Sequence, residues 1–289
     1  MKVRIMHFPD FEYNVYWILL LRLFLHPIMK FFASFPWLGK IFFEKSQYCK
    51  FIREKAMSYV ALEKIYSYSW RQYNANILDR IITYTWLNIF NGFSTRNRLK
   101  IVKKLLRDAL LLSQKDEINV LSLGAGSARS ILEVVSQLRR EGFSKKIKIK
   151  LIDSSRDALN FSRKLAEELK LETGDIEWHR GLIDTVDIFC KNGFKPDIIE
   201  MVGLLDYFNH QEALKLFQSI RENLAQKGIL ITGNVNKNPE EKFIREIIEW
   251  NMIYRRPNQL EDLLLTSGFN EVKMFSDKIM THIVAEGKV

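Results

Sequence analysis

Two hydrophobic rhythms run along this chain of 289 residues, and they change over near residue 115. Beyond that point short apolar runs alternate with amphipathic ones. Residues 118–123 form an aliphatic run that ends in Gly124-Ala125-Gly126, and Ile131, Leu132, Val134, Val135 and Leu138 come next at helical spacing: strand, glycine turn, helix. A second strand over 147–152 ends at Asp153, with an amphipathic helix over 156–169. Strands over 176–179, 197–202 and 228–232, helices over 211–224, 240–250 and 259–266, and two closing strands near 271–275 and 281–285 complete the pattern. Strands joined through helices of this length pair in parallel, because parallel neighbours need a crossover, so the reading is an α/β fold: a mostly parallel, seven-stranded sheet with helices on both faces.

Before residue 115 the pattern is helical. The most apolar segment, 16–43, is interrupted by Arg22, His26, Pro27 and Lys30 before the roughly 20 apolar residues of a spanning helix accumulate. Asp10 and Glu12 precede it and no small-x-small site comes after it, so it does not read as a cleaved signal and is expected to be retained. On a helix Arg22, His26 and Lys30 make one basic stripe, with Trp17, Leu19, Leu20, Phe24 and Phe31 elsewhere. That is the layout of an interfacial helix resting on an anionic membrane surface; a helix packed on the next domain, stripe to solvent, is the alternative. Residues 46–113 read as further helices with a break at the turn dipeptide Asn91-Gly92. In the last of them Leu99, Val102, Leu105, Leu106 and Leu110 share a face and Arg96, Arg98, Lys100, Lys103, Lys104 and Arg107 occupy the rest, a basic helix expected to cover the entrance to the α/β part. The chain thus divides into an all-helical, aromatic-rich region, 1–114, and an α/β domain, 115–289.

Charge sharpens this division. Residues 1–117 carry 19 Lys and Arg against 9 Asp and Glu, and the remainder is balanced at 25 each, so the whole net charge of +10 belongs to the first part. An anionic partner for that part, membrane surface or nucleic acid, is one reading, and a merely solvated basic surface the other. Cys49 and Cys190 are too few for a disulfide framework and point to a reducing, cytoplasmic setting, with the inner face of a membrane as a peripheral location. The five histidines are scattered and none stands at metal-ligand spacing, so no metal is expected.

Chemistry enters at the strand ends, where open α/β sheets bind ligands. Gly124-x-Gly126 lets backbone approach a ligand closely, and Asp153, at the end of the next strand, can hydrogen-bond both hydroxyls of a ribose. Together they read as nucleoside binding. NAD is the rival ligand, but the third glycine of its fingerprint is replaced by Arg129.

The stretch 119–284 resembles the class I methyltransferases that use S-adenosylmethionine (SAM), with Rossmann-like architecture. Residues 120–126 (VLSLGAG) match the first motif, 151–153 (LID) the second, 196–203 (PDIIEMVG) the fourth strand and 224–232 (LAQKGILIT) the fifth. The resemblance implies a SAM-dependent methyltransferase whose cofactor is held by Leu123, Gly124, Ala125, Gly126, Asp153, Ser154, Leu182, Gly203 and Leu204. Two positions depart from the pattern: Ser122 stands where many members carry an acid, and Leu182 where an acid often contacts adenine. A narrower set, 203–207 (GLLDY), Gly233-Asn234, Asn238-Pro239 and 250–255 (WNMIYR), is similar to bacterial methyltransferases grouped with those that make methyl esters of hydroxy fatty acids.

A small or lipid-like acceptor, with a carboxylate in view, is what this resemblance implies. A carboxylate needs no general base. A hydroxyl or amine would, with Asp206 or His179 as candidates after the fourth and third strands. Tyr207 is expected to wall the acceptor pocket, and Trp250, Tyr254 and Arg255 to cap it, Arg255 pairing with a substrate carboxylate. The fourth strand lacks the N-P-P-Y sequence of many base-modifying enzymes. Two other readings stand beside this one: an RNA methyltransferase gripping phosphates with the helices over 46–71 and 95–112, and a SAM-binding protein without catalysis.

Overall fold

The central parallel strands form where mostly aliphatic runs can be buried on both faces, and the outer ones where apolar and polar residues mix. In a computed structural model describing residues 4–8, 15–69, 73–183, 186–190 and 193–289, the run Glu117–Leu123 becomes β2, fully buried over its last four positions. It pairs in parallel with Lys146–Asp153 (β3) on one side and Ile198–Met201 (β5) on the other, Ser122 lying level with Leu151 and with Glu200. Ile176–Arg180 (β4) extends the sheet beyond β3, and Ile229–Val235 (β6) beyond β5. Glu271–Ser276 (β7) and His282–Lys288 (β8) close it, β8 running antiparallel between β6 and β7. The chain reverses direction of travel across the sheet at β2, which makes its carboxyl end the switch point where a ligand crevice opens.

These are the expected seven strands, and among the described residues an eighth joins them: Ile5–His7 (β1) adds in parallel to the outer edge of β7, giving the order β1-β7-β8-β6-β5-β2-β3-β4. The first stretch of the chain is therefore not purely helical. The strand is short and lies at an edge, where pairing covers the exposed hydrogen-bonding groups of β7.

Among the described residues six helices precede β2: Val15–Ser34 (α1), Pro36–Phe43 (α2), Gln47–Glu54 (α3), Tyr59–Tyr66 (α4), Ile77–Leu87 (α5) and Phe90–Leu112 (α6). Arg129–Arg140 (α7), Arg156–Glu168 (α8), Val186–Phe189 (α9), His210–Asn223 (α10), Glu241–Phe243 (α11) and Pro257–Thr266 (α12) lie among the strands. The expected break at Asn91-Gly92 falls instead before α6. Both residues lie in its first turn, because Gly92 lets the helix approach the end of α5 so closely that a Cβ would stand 2.6 Å from the Leu87 carbonyl oxygen. The expected helix over 240–250 is α11 continued by a π-helical turn, Ile244–Ile248, ended by Glu249 at φ +61°.

Three large apolar clusters hold the molecule. One packs α6, α7 and α8 on β2 and β3; a second packs α10 and α12 on the other face. The third joins Met29, Ile52 and Trp86 of the first helices to Phe243 and Ile247 around the π turn. The basic face expected on α6 is partly interior: Arg96 and Arg98 are buried at 8% and 5% exposure. Trp17, Leu19 and Arg22 keep their place in α1, but their side chains, like Asp10, Glu12 and Arg71 entirely, lie outside the described residues.

Candidate active site

The glycine turn after β2 uses left-handed backbone, which glycine adopts freely. Gly124 and Gly126 have φ of +61° and +54°, and Ala128, ahead of α7, has φ +52°. Asp153 fixes this turn while facing the crevice: its Oδ2 accepts from Gly126 N–H and its Oδ1 from Ser155 N–H, both at 2.8 Å. Each oxygen keeps a second lone pair for a ribose hydroxyl. Around this turn lies a cleft of about 510 Å³ lined by Leu123, Gly124, Ala125, Gly126, Asp153, Ser154, Leu182, Gly203 and Leu204, so every cofactor position read from the sequence stands on one wall. Leu182 presents an apolar, 63% exposed side chain in place of an acid.

The opposite wall comes from the N-terminal helices, with Tyr59, Val60, Leu62 and Tyr66 of α4 reaching over the cleft. Arg129, the residue that breaks the NAD fingerprint, ties the walls together. Its guanidinium donates to both carboxylate oxygens of Glu63 on α4, from Nε at 2.9 and 3.0 Å and Nη2 at 2.5 Å, and to Glu133 at 2.6 Å.

Beneath the glycine turn sits a carboxyl that the sequence reading passed over. Glu200 of β5 accepts from Ser122 Oγ at 2.9 Å and from Ser130 Oγ of α7, and it lines the cleft. Burial pushes its pKa up, and the two serine hydroxyls pull the other way. It lies on the neighbouring strand, level with Ser122.

A second, smaller cavity of about 60 Å³ adjoins the cleft and shares Leu62, Arg98, Gly203, Tyr207 and Trp250 with it. Its walls are apolar: Ile52, Ile65, Trp86, Ile89, Ile244 and Ile248. Its polar groups gather at one end. Arg98 Nη1 reaches His282 Nδ1 at 3.5 Å and Nη2 reaches the Tyr66 hydroxyl at 3.4 Å, long contacts both, while its Nε is buried without a partner. No carboxylate lies within ion-pair distance of this guanidinium among the described residues. Burial, with Arg98 adding to it, holds the His282 pKa well below 6.5, so the ring is neutral near pH 7. A consistent network results: Nδ1 accepts from Arg98, Nε2–H donates to Thr95 Oγ at 3.2 Å, and that hydroxyl donates to the Asn91 carbonyl at 2.6 Å.

Asp206 lines the small cavity, its Oδ1 accepting from Val235 N–H at 2.8 Å and its pKa raised by burial against the pull of Arg98. The Tyr207 hydroxyl accepts from Trp250 Nε1 at 2.8 Å, which leaves its own proton to donate, and burial moves its pKa to about 12. Three expected participants lie elsewhere. Arg255 does not point to an acceptor: its guanidinium is spent on the carbonyls of Leu205 and Phe208 and on Asn234 Oδ1, so it braces the loop after β5. His179 pairs with Glu177 at 2.7 Å and lines neither space. Tyr254 is buried outside both linings. Among the described residues no group of three His, Cys, Asp or Glu is placed to hold a metal.

A glycine turn and an acid at successive strand ends, on a parallel sheet with one antiparallel strand set near its edge, define a class I methyltransferase. Residues 58–286 match the family described as "Putative methyltransferase", and the chain belongs to that family. Among curated proteins none matches this chain. Among solved structures, the fold is similar to a "possible exported protein" from Bordetella parapertussis, 16% identical, with a TM-score of 0.71 over 86% of this chain and 84% of that one. It is also similar to magnesium protoporphyrin IX methyltransferase from Synechocystis PCC 6803 with bound S-adenosylhomocysteine, 12% identical, TM-score 0.54, covering 78% and 91%. An O-methyltransferase family protein from Burkholderia thailandensis, 13% identical, gives 0.51 over 76% and 61%. Family membership makes the chain a methyltransferase, on a fold similar to that of neighbours holding S-adenosylhomocysteine and SAM.

Proposed function

We propose that this enzyme methylates the carboxylate of a small or lipid-like apolar acceptor, whose reacting end sits in the small cavity beside the cofactor cleft. The observation that carries the reading is Arg98: a buried guanidinium with one unpartnered nitrogen, at the junction of an apolar cavity and the cleft, whose charge Asp206 offsets only from beyond ion-pair distance. A buried charge so incompletely compensated is costly, and an anionic ligand supplies what is missing.

SAM, when bound, supplies an electrophilic methyl group, and the chain's own residues do the rest. Asp153 takes the ribose, and the glycine turn lets the backbone approach. Leu182 gives the adenine an apolar support. Arg98 orients the acceptor carboxylate, the Tyr207 hydroxyl donates a second hydrogen bond, and Trp250 excludes water. Alignment and desolvation of the carboxylate are the main contributions, since no proton has to be removed. A cavity of about 60 Å³ takes only the reacting end, so a long chain requires α4 or α5 to move outward.

Labelled SAM and a panel of aliphatic acids, with the matching alcohols and amides, test the proposal. The acids alone should be methylated, giving base-labile esters, and Arg98→Met should raise the acid's KM about tenfold with SAM affinity unchanged. A loss of SAM affinity in that variant would instead assign Arg98 to the cofactor's own carboxylate. Methylation of the alcohols with a requirement for Asp206 would favour hydroxyl chemistry. The RNA reading is disfavoured by the burial of Arg96 and Arg98, two of the cations it needs on the surface.

A further inference from the structure

We infer that the hairpin of α1 and α2 docks on an anionic lipid surface. Its outer face carries Leu23, Phe24 and Trp37 at 70%, 74% and 65% exposure, with Ile28, Phe31 and Phe35 each about half exposed. On α1 the exposed apolar positions fall on one arc, opposite Met29 and Ala33, which pack on the protein. An apolar face this continuous is uncommon on a surface left to water. No helix among the described residues is long and apolar enough to cross a membrane, so the fitting geometry is in the plane of the interface.

Charge selects the occupant. Residues 15–55 hold seven Lys and Arg against two Glu; Glu44 pairs with Arg53, Glu54 with Lys50, and Glu249 of the α/β part takes Lys40 and Arg53, so the excess among the described side chains rests on the exposed Lys30, Lys45 and Lys55. Lys30 is exposed beside the apolar arc and Lys45 lies just past α2. A second copy of this face would bring the same positive excess against itself, whereas an anionic bilayer offers apolar depth and negative headgroups together. The hairpin also touches the cavity wall: Gly39 of α2 packs on Ile247 of the π turn, whose Ile244 and Ile248 line the small cavity.

The test is flotation of the full chain with phosphatidylcholine vesicles, with and without phosphatidylglycerol. The protein should float with the anionic vesicles, less so in high salt, and Phe24→Ser/Phe31→Ser/Trp37→Ser should reduce the bound fraction about tenfold while SAM binding is retained. Failure of the wild type to float overturns the inference, as does a triple variant that floats equally well. So does a wild-type dimer that the triple variant dissolves, which would make this face a contact between copies. None of these readouts depends on the acceptor.

A separate observation assigns Glu200 as a cofactor-positioning residue, the counter-ion of SAM's α-ammonium group. It is buried, lines the cleft beneath Gly124, and is held by two serine hydroxyls with no cation among the described residues. It stands level with Ser122, at the end of β2 where the glycine turn begins. Glu200→Gln keeps the shape and removes the charge. Calorimetry should show SAM affinity falling about tenfold in this variant and 5′-methylthioadenosine, which has no amino-acid portion, binding as before. Equal weakening of both ligands would reduce Glu200 to a support of the glycine turn, and no weakening of either would remove it from the site.

Discussion

Gly124 shows how little room the cofactor turn allows. A Cβ there would meet Leu204 Cδ2 at 2.6 Å, and a φ of +61° is strained for any other residue. The leucine tip can yield, but the backbone cannot, so Gly124→Ala should cost about 1–2 kcal/mol of stability. Its larger effect should be on SAM, about tenfold weaker by calorimetry; an unchanged affinity would place the turn away from the cofactor. His282 gives a prediction with a sign. Its folded pKa lies below its ordinary 6.5, so the unfolded chain takes up the proton first and stability falls as pH drops from 6.5 toward the folded value. The buried carboxyls Glu200 and Asp206 act in the opposite sense: their raised pKa values contribute stability at acid pH that is lost as pH rises through those values. A His282→Gln variant should therefore lose less melting temperature than the wild type between about pH 7 and pH 5. Parallel melting curves for the two proteins would show that the ring is charged in the fold. The glycines and Asp153 were readable in the sequence because one strand and one turn set their spacing. Arg98, His282 and Glu200 were not, because their partners lie far along the chain and only the packed sheet brings them together.

The same contrast holds for elements. The strands were legible because β2, β5 and β6 are mostly apolar, as burial on both faces requires, and β3 alternates Ile with Lys, patterns that stand out between amphipathic helices. The first turn of α6 was not. Asn91-Gly92 looks like a turn until the buried Glu240, contributed from beyond β6, accepts from the N–H groups of Phe90 and Asn91 at 2.8 and 2.9 Å and from Asn91 Nδ2 at 2.8 Å. That carboxylate takes the role of a cap that Ile89 cannot fill. Arg96, read as a surface cation, is turned inward to the Leu87 carbonyl at 2.7 Å and to Asn88 at 3.1 Å. Removing the cap strands two buried backbone N–H groups, while Asn91 Nδ2 keeps Asn238 Oδ1, so Glu240→Ala should destabilise by about 2–3 kcal/mol in denaturant unfolding. Glu240→Gln, which still offers one acceptor oxygen, should cost clearly less. If both substitutions cost under about 0.5 kcal/mol, α6 begins without help from Glu240.

At the scale of the whole molecule, both ligand spaces lie between the first helices and the sheet. Leu62, Ile65 and Arg98 come from one side, Gly203, Asp206 and Tyr207 from the other, and Trp250 from the segment after the π turn. The α/β half can form the glycine turn by its own hydrogen bonds, but the small cavity exists only when α3, α4 and α5 are in place. On the cofactor side α4 is tied to α7 by the forked pairing of Glu63 with Arg129, at 2.5–3.0 Å, on partly buried side chains, beside the apolar packing of Ala61 and Ile65. Because Arg129 opens α7 directly after the glycine turn, the pair couples closure over the cleft to the backbone that faces SAM. Glu63→Gln keeps one acceptor oxygen but loses the charge-assisted fork, which is worth about 1.5–3 kcal/mol when made in full. Arg129 still has Glu133, so the fold should survive with a small drop in melting temperature. The expected change is kinetic: SAM should dissociate several-fold faster, with its association rate unchanged, in a stopped-flow fluorescence trace. An unaltered dissociation rate would mean that α4 stays closed without this pair, and the apolar packing of Ala61 and Ile65 would then be what seats it.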